Sequence, residues 1–158
     1  MSEGIGARVL RKEDKRFITG KGRYTDDIIE ANQAYAAFVR SPHAHARIVS
    51  LDTSAALAME GVETVLTGPE LVADGIGNII CGWGITSKDG TPMNMGAWSA
   101  LATEKVRYVG DAVAIVVADS KSQAKLAAEA VVVTYEELPV VVGSVEALAP
   151  GAPQLHDN

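Results

Sequence analysis

The sequence holds a single cysteine, Cys81, in 158 residues. That excludes an internal disulfide framework and any zinc or iron–sulfur site built on cysteines. No apolar stretch reaches the roughly 18–20 residues needed to span a bilayer. The opening segment, MSEGIGARVLRKEDK, lacks the apolar core of a signal peptide. The default compartment is therefore the cytoplasm. Uncompensated positive charge is also missing. The formal net charge is −6, and the one loose cluster of Arg8, Arg11, Lys12, Lys15, Arg16, Lys21 and Arg23 is interleaved with Glu13, Asp14, Asp26 and Asp27. Nucleic acid is excluded as an expected partner, because phosphate binding draws on a basic surface that is not offset locally.

What remains is the balance of an ordinary folded domain. Hydrophobic residues make up 47% and charged residues 22%, the mix of a globular chain rather than a disordered tail. A chain of this size buries about two-thirds of its unfolded surface, enough for a core without covalent staples.

Along the chain there is no internal repeat. Residues 1–31 read as an extended arm with turns at Gly20, Gly22 and Asp26–Asp27. Residues 33–39 and 46–51 read as strands, separated by a break at Ser41–Pro42, where proline removes a donor and restricts its predecessor. Thr53–Ser54 offers an N-cap for a short helix that Gly61 stops. Residues 62–66 form a strand, and the Thr67-Gly68-Pro69 turn leads into a short helical piece. Residues 74–100 are Gly-rich and aperiodic, a long irregular loop of the kind that makes contacts or carries function.

The last third is more regular. Val106–Val109 and Ala112–Ala118 read as strands joined at Gly110–Asp111, and the second is nearly all apolar, as befits a central strand covered on both faces. Ser120 and Gln123 form a capping box for a helix through about Ala130, with Ala124, Ala127, Ala128 and Val131 on one face. Val132–Tyr135 is a further strand, ended by Glu137-Leu138-Pro139. Strands mixed with two or three short helices give an α+β fold with a mixed β-sheet.

Few residues carry a chemical signature. His43 and His45, two apart, would share one face of a strand and could touch one metal, but a third ligand is missing and His156 lies in the C-terminal tail. A hydrogen-bonding role is expected for both. Asp26–Asp27 and Glu136–Glu137 are sequence neighbours. Acid–base catalysis needs carboxyls that converge from opposed positions, so turn capping and a solvated strand end are expected instead. Gly20-Lys21-Gly22 and the glycines at 75–84 match neither G-x-x-x-x-G-K-[ST] nor G-x-G-x-x-G in its strand-to-helix setting. Cys81, among Ile79, Ile80 and Trp83, reads as a small buried or semi-buried hydrophobe. No catalytic, cofactor-binding or metal-binding residue is assigned.

Five segments resemble one family in the same order. They are Arg11-x-Glu13-Asp14-x-Arg16-Phe17-Ile18-Thr19-Gly20-x-Gly22-x-Tyr24-x-Asp26-Asp27; Phe38-Val39-Arg40-Ser41-Pro42-His43-Ala44-His45-Ala46-Arg47-Ile48; Val65-Leu66-Thr67-Gly68; Val106 to Ala114; and Tyr135-Glu136-Glu137-Leu138-Pro139. Each is weak alone, but the series resembles the N-terminal α/β-hammerhead domain of the xanthine dehydrogenase, aldehyde oxidase and carbon monoxide dehydrogenase large subunits. The first motif leans toward the carbon monoxide dehydrogenase-like branch. Asp111–Ala112 and Glu137 depart from the commoner Glu-Pro and Pro of relatives, and the 74–100 loop matches no motif.

The resemblance implies an oxidoreductase part that is inert alone. Relatives work at a molybdenum–pterin (molybdopterin) site whose ligands and catalytic glutamate lie far beyond this region, with 2Fe-2S and FAD in partner subunits. It further implies a hammerhead domain at 32–149, a linker toward the molybdopterin-binding domains starting at 150–158, and the remainder of the large subunit with its iron–sulfur and flavin subunits as partners. Self-association of the isolated domain is expected. The competing readings are a stand-alone binding or adaptor module on the same fold and a small metal-dependent hydrolase at His43 and His45.

Overall fold

The computed structural model describes residues 4–156. The chain divides into two compact units, Met1–Gln33 and Ala34–Asn158. The first was expected to be an extended arm, yet it carries a short helix, α1 (Asp14–Ile18), and a 3₁₀ turn at Thr25–Asp27. Phe17 and Tyr24 stack at a 5.5 Å centroid separation, and the Asp27 carboxylate accepts the Tyr24 backbone N–H at 2.9 Å.

The second unit runs β1 (Tyr35–Arg40), β2 (Ala46–Asp52), α2 (Ser54–Leu57), β3 (Val62–Thr67), α3 (Gly68–Ala73), β4 (Lys105–Val106), β5 (Ala112–Ala118), α4 (Lys121–Ala130), β6 (Val132–Glu137) and α5 (Ser144–Ala147). The α+β class holds. The expected mixed pairing does not: among the described residues the strands form two three-stranded sheets, β1-β5-β3 and β4-β2-β6, and every pairing is antiparallel. The reason is topological. A strand–helix–strand unit gives parallel neighbours only when the chain returns to the same sheet, whereas here β2-α2-β3 and β5-α4-β6 each cross from one sheet to the other. Among the described residues there are five α-helical segments rather than two or three, most of them four to six residues long.

β5 is the central strand of the first sheet, and Val113, Ala114, Val116 and Ala118 are buried along it. Ser120 caps α4 by accepting the Gln123 backbone N–H at 3.3 Å. The Gln123 amide in turn donates to the Glu60 carbonyl at 3.1 Å, fastening the helix to the turn before β3. Ala124 and Ala127 of α4 are buried, and such small side chains let a helix pack at close range against a sheet. Two core clusters result. One is built on Ala56, Val65, Ala114, Val116, Ala127 and Val131, the other on Ala46, Ala102, Val106 and Val113. Val39, Leu51 and Val133 pack against both.

The expected strand at Val106–Val109 stops after Val106. The Arg107 backbone N–H turns to the Asp111 carboxylate at 3.0 Å, and the Asp111 N–H to the Tyr108 carbonyl at 3.1 Å. These turn bonds take the donors that a ladder would use. The short helical piece expected after the Thr67-Gly68-Pro69 turn is α3, fixed by a capping box in which Glu70 accepts the Thr67 backbone N–H at 2.8 Å.

Candidate functional site

Of the polar residues singled out by sequence, His43 and His45 lie where the chain passes from β1 to β2. Pro42 ends the first strand's ladder, and the corner is closed by two backbone bonds, Ser41 N–H to Asp111 O and Gly110 N–H to Ser41 O, both 2.8 Å. The buried Ser41 hydroxyl accepts the His43 N–H at 3.0 Å. Arg40 reaches over the Phe38 ring and donates to the Gly110 carbonyl at 2.9 Å.

His43 and His45 do not share one ligand. His43 is half-buried, tilted against Tyr135 at 4.9 Å, with Nδ1 3.6 Å from the exposed Glu137 carboxylate. His45 is 5% exposed. Its Nδ1 lies 2.9 Å from the Pro139 carbonyl, and because a carbonyl only accepts, Nδ1 carries the proton. Burial pushes the Tyr135 phenol above its ordinary pKa, opposed by a hydrogen bond with Ser41 and reinforced by the Asp111 charge. Burial likewise raises Tyr108, with the Asp111 charge acting in the same direction. These groups stabilise a corner of the fold. No three His, Cys, Asp or Glu side chains converge to hold a metal among the described residues.

The other candidates disperse. Asp27 closes its own turn, and Glu136 pairs with Arg47 at 3.2 Å with both partners exposed, which is worth little in solvent. Gly20, at φ 69, is a turn residue with nothing near its missing Cβ. Cys81 contradicts its reading: it is exposed, with its thiol 3.6 Å from the Trp83 carbonyl. The reason is that its apolar neighbours are exposed with it. Ile79 is 59%, Ile80 89% and Trp83 79% accessible, in a loop held at its neck by the Ile79 N–H to Trp98 O bond of 2.8 Å. Within the loop, a single bridge joins Thr86 and Pro92.

Sequence reasoning missed one grouping. Trp98 stacks on Tyr108 at 6.2 Å and lies 6.3 Å from the His156 ring, while the Arg107 guanidinium donates to the Leu155 carbonyl at 2.9 Å. Together they wall a cavity of about 140 Å³. The Trp98–His156 and Arg107–Leu155 contacts join residues about fifty apart, and pairings of that kind leave no mark in local periodicity.

Comparison with known proteins follows the same lines. Residues 19–139 match the family described as aldehyde oxidase and xanthine dehydrogenase, a/b hammerhead domain. The carbon monoxide dehydrogenase large chain of Hydrogenophaga pseudoflava is 42% identical over 156 residues, covering 98% of this chain and 18% of the relative. The nicotine 6-hydroxylase large subunit of Paenarthrobacter nicotinovorans is 43% identical over 138 residues, 87% of this chain and 16% of the relative. Among solved structures, quinoline 2-oxidoreductase from Pseudomonas putida 86 superposes with a TM-score of 0.77 at 40% identity, covering 89% of this chain and 17% of that one. The chain thus spans less than a fifth of the length of these relatives. With the fold, the motif order and these likenesses in agreement, the chain belongs to the aldehyde oxidase and xanthine dehydrogenase a/b hammerhead family and matches one domain of the much longer large subunits of its relatives.

Proposed function

We propose that this chain is the N-terminal structural domain of an oxidoreductase large subunit of the carbon monoxide dehydrogenase or aldehyde oxidase type, inert alone and built to pack against the rest of its subunit. One observation carries the reading. The 76–98 loop presents Ile76, Ile79, Ile80, Trp83, Ile85 and Trp98 to solvent, each more than half accessible. Several large apolar side chains exposed on one loop of a small domain mark a protein contact. In this reading residues 1–31 are an N-terminal arm, 32–149 the hammerhead and 150–158 the lead into molybdopterin-binding domains, in a cytoplasmic complex with iron–sulfur and flavin subunits.

The residues present do not fit the molybdenum–pterin group. A phosphorylated pterin calls for cationic or clustered N–H donors; a cavity of about 350 Å³ in the loop region is lined by Cys81, Met93, Asn94, Met95, Gly96, Trp98 and His156, with no Lys or Arg, and in the 140 Å³ cavity the Arg107 guanidinium is already bound to the Leu155 carbonyl. No step of the chemistry is therefore assigned to this chain. The supporting features are the family match and the exposed loop.

Elemental analysis for molybdenum, iron, copper and zinc, beside dye reduction with aldehydes, xanthine and carbon monoxide, tests the proposal. No stoichiometric metal and no turnover in the isolated chain, with both present in the large-subunit complex containing it, is expected. Turnover or stoichiometric metal in the isolated chain overturns it. A natural polypeptide that stops near residue 158 and copurifies with no molybdenum enzyme would instead favour a stand-alone adaptor.

A further inference from the structure

β2 is a central strand for only half of its length. On one side it pairs with β6 from Ala46 to Asp52. On the other, β4 covers only Ala46 and Arg47, and a last bond runs from Ile48 N–H to the Glu104 carbonyl at 2.8 Å. Beyond that point the 102–104 segment veers away, because the Ala102 N–H is bound to the Ala112 carbonyl at 2.7 Å. Among the described residues, no backbone bond is made to β2 on that side over residues 49–52. The splay leaves a groove of about 260 Å³ beside this free edge, walled by Ile48, Leu51, Pro69 and Ala102 with the hydroxyl residues Ser50 and Thr67.

The register of β2 shifts between Ile48 and Ser50, and the intervening Val49 is 59% exposed. Natural edge strands are blunted by lysine, proline or a covering segment. Residues 49–52 carry neither lysine nor proline, and their one charge, Asp52 at the end of the strand, accepts the Ser54 N–H at 2.9 Å, whereas the outer strand β6 ends on the exposed Glu136 and Glu137. An unpaired row of N–H and C=O groups in an uncharged groove is complemented by extended backbone, with side chains contributing only fit.

We propose that residues 49–52 of β2 accept an added β-strand, a short extended segment of uncharged, apolar and small side chains contributed by the large subunit outside this chain. The inference rests on the domain assignment above. The occupant follows from two facts: the groove continues the line of the two-residue β4, and the curated relatives are more than five times as long as the matched region, which covers 18% of their length. A second copy would have to seat its own bulged edge in a groove walled by Pro69 and Ala102, a poorer match than a free segment.

Hydrogen exchange resolved to single amides, compared between the isolated chain and the large subunit that contains it, tests the proposal. Alternate amides within 49–52 should exchange more than ~100-fold slower in the subunit, in the every-second-residue pattern of a ladder. A Ser50→Lys variant should abolish that protection while leaving the melting of the isolated chain within a few degrees of wild type. If the 76–98 loop gains protection while residues 49–52 exchange as before, the strand addition is wrong and the domain assignment stands. If neither region changes, both fall. Protection of residues 49–52 in the isolated chain that grows with its concentration would identify a second copy as the occupant and overturn the proposal.

Discussion

The imidazole of His45 donates from Nδ1 to the carbonyl oxygen of Pro139 at 2.9 Å, across 94 residues of sequence. The His45 carbonyl meanwhile accepts the Leu138 N–H at 3.0 Å. One buried residue thus holds the start of β2 to the chain leaving β6 through both its backbone and its side chain. Its Nε2 is buried with no hydrogen-bond partner among the described residues. His45→Ala should lower unfolding free energy by about 2–3 kcal/mol, since the Pro139 carbonyl loses its donor and a cavity opens. Urea denaturation checks this. Long-range nitrogen–proton spectra of the wild type should show the Nδ1–H tautomer, and an Nε2–H tautomer would refute the hydrogen bond.

Tyr135 makes the alkaline side of the stability curve informative. Its phenol is raised above the ordinary value of 10.0, first by burial. A raised folded-state pKa means that the neutral phenol is preferred in the fold. The contribution is complete below about pH 10 and is lost as pH climbs from there through the folded value. Thermal unfolding followed from pH 8 to 11 should show this loss, and Tyr135→Phe should diminish it. An unchanged pH slope in the variant would assign the effect to Tyr108, which is raised in the same direction.

Gly68 lies flush against the backbone of residues 101–102, and an added Cβ would collide with the Ala102 carbonyl oxygen. Neither neighbour is a flexible side-chain end that could swing away. Gly68→Ala should therefore cost about 2–3 kcal/mol, the upper part of the range for overpacking a tight site. Ser120→Ala, which removes the α4 cap, should cost about 1 kcal/mol. Chemical denaturation of the two variants gives the order. A Gly68→Ala variant more stable than Ser120→Ala would contradict the packing described.

The exposed loop predicts behaviour in solution. Isolated chain should bind an apolar dye and self-associate, and the double change Ile80→Ser with Trp83→Ser should reduce both while leaving the melting temperature within about 2 °C, because surface changes away from the core are close to neutral. Analytical ultracentrifugation with dye fluorescence reads both. A melting temperature that falls steeply would mean that these side chains support the core after all.

How far the sequence carried the fold depended on whether the deciding forces were local. β5 was legible because seven consecutive apolar residues from Ala112 to Ala118 suit a strand covered on both faces. α4 was legible because Ser120 and Gln123 spell a cap. The division into two antiparallel sheets was not, since it depends on which sheet a strand enters after each helix. Arg107–Val109 read as strand by composition, yet Asp111 took the Arg107 amide. Cys81 read as buried or semi-buried because its neighbours are apolar, a signature that a core and this exposed apolar loop share. At the candidate site, the pairing of the histidines with Pro139 and Tyr135 needed the tertiary fold.

The bond between Ile79 and Trp98 also bears on how such domains diverge. With its two ends tied together, the intervening stretch can lengthen or shorten while the chain enters and leaves at the same place. Closure entropy grows only logarithmically, about 0.6 kcal/mol for each doubling of length. This fold can thus carry a different loop at this neck, as an interchangeable head on one handle, with little demand on the sheets beneath.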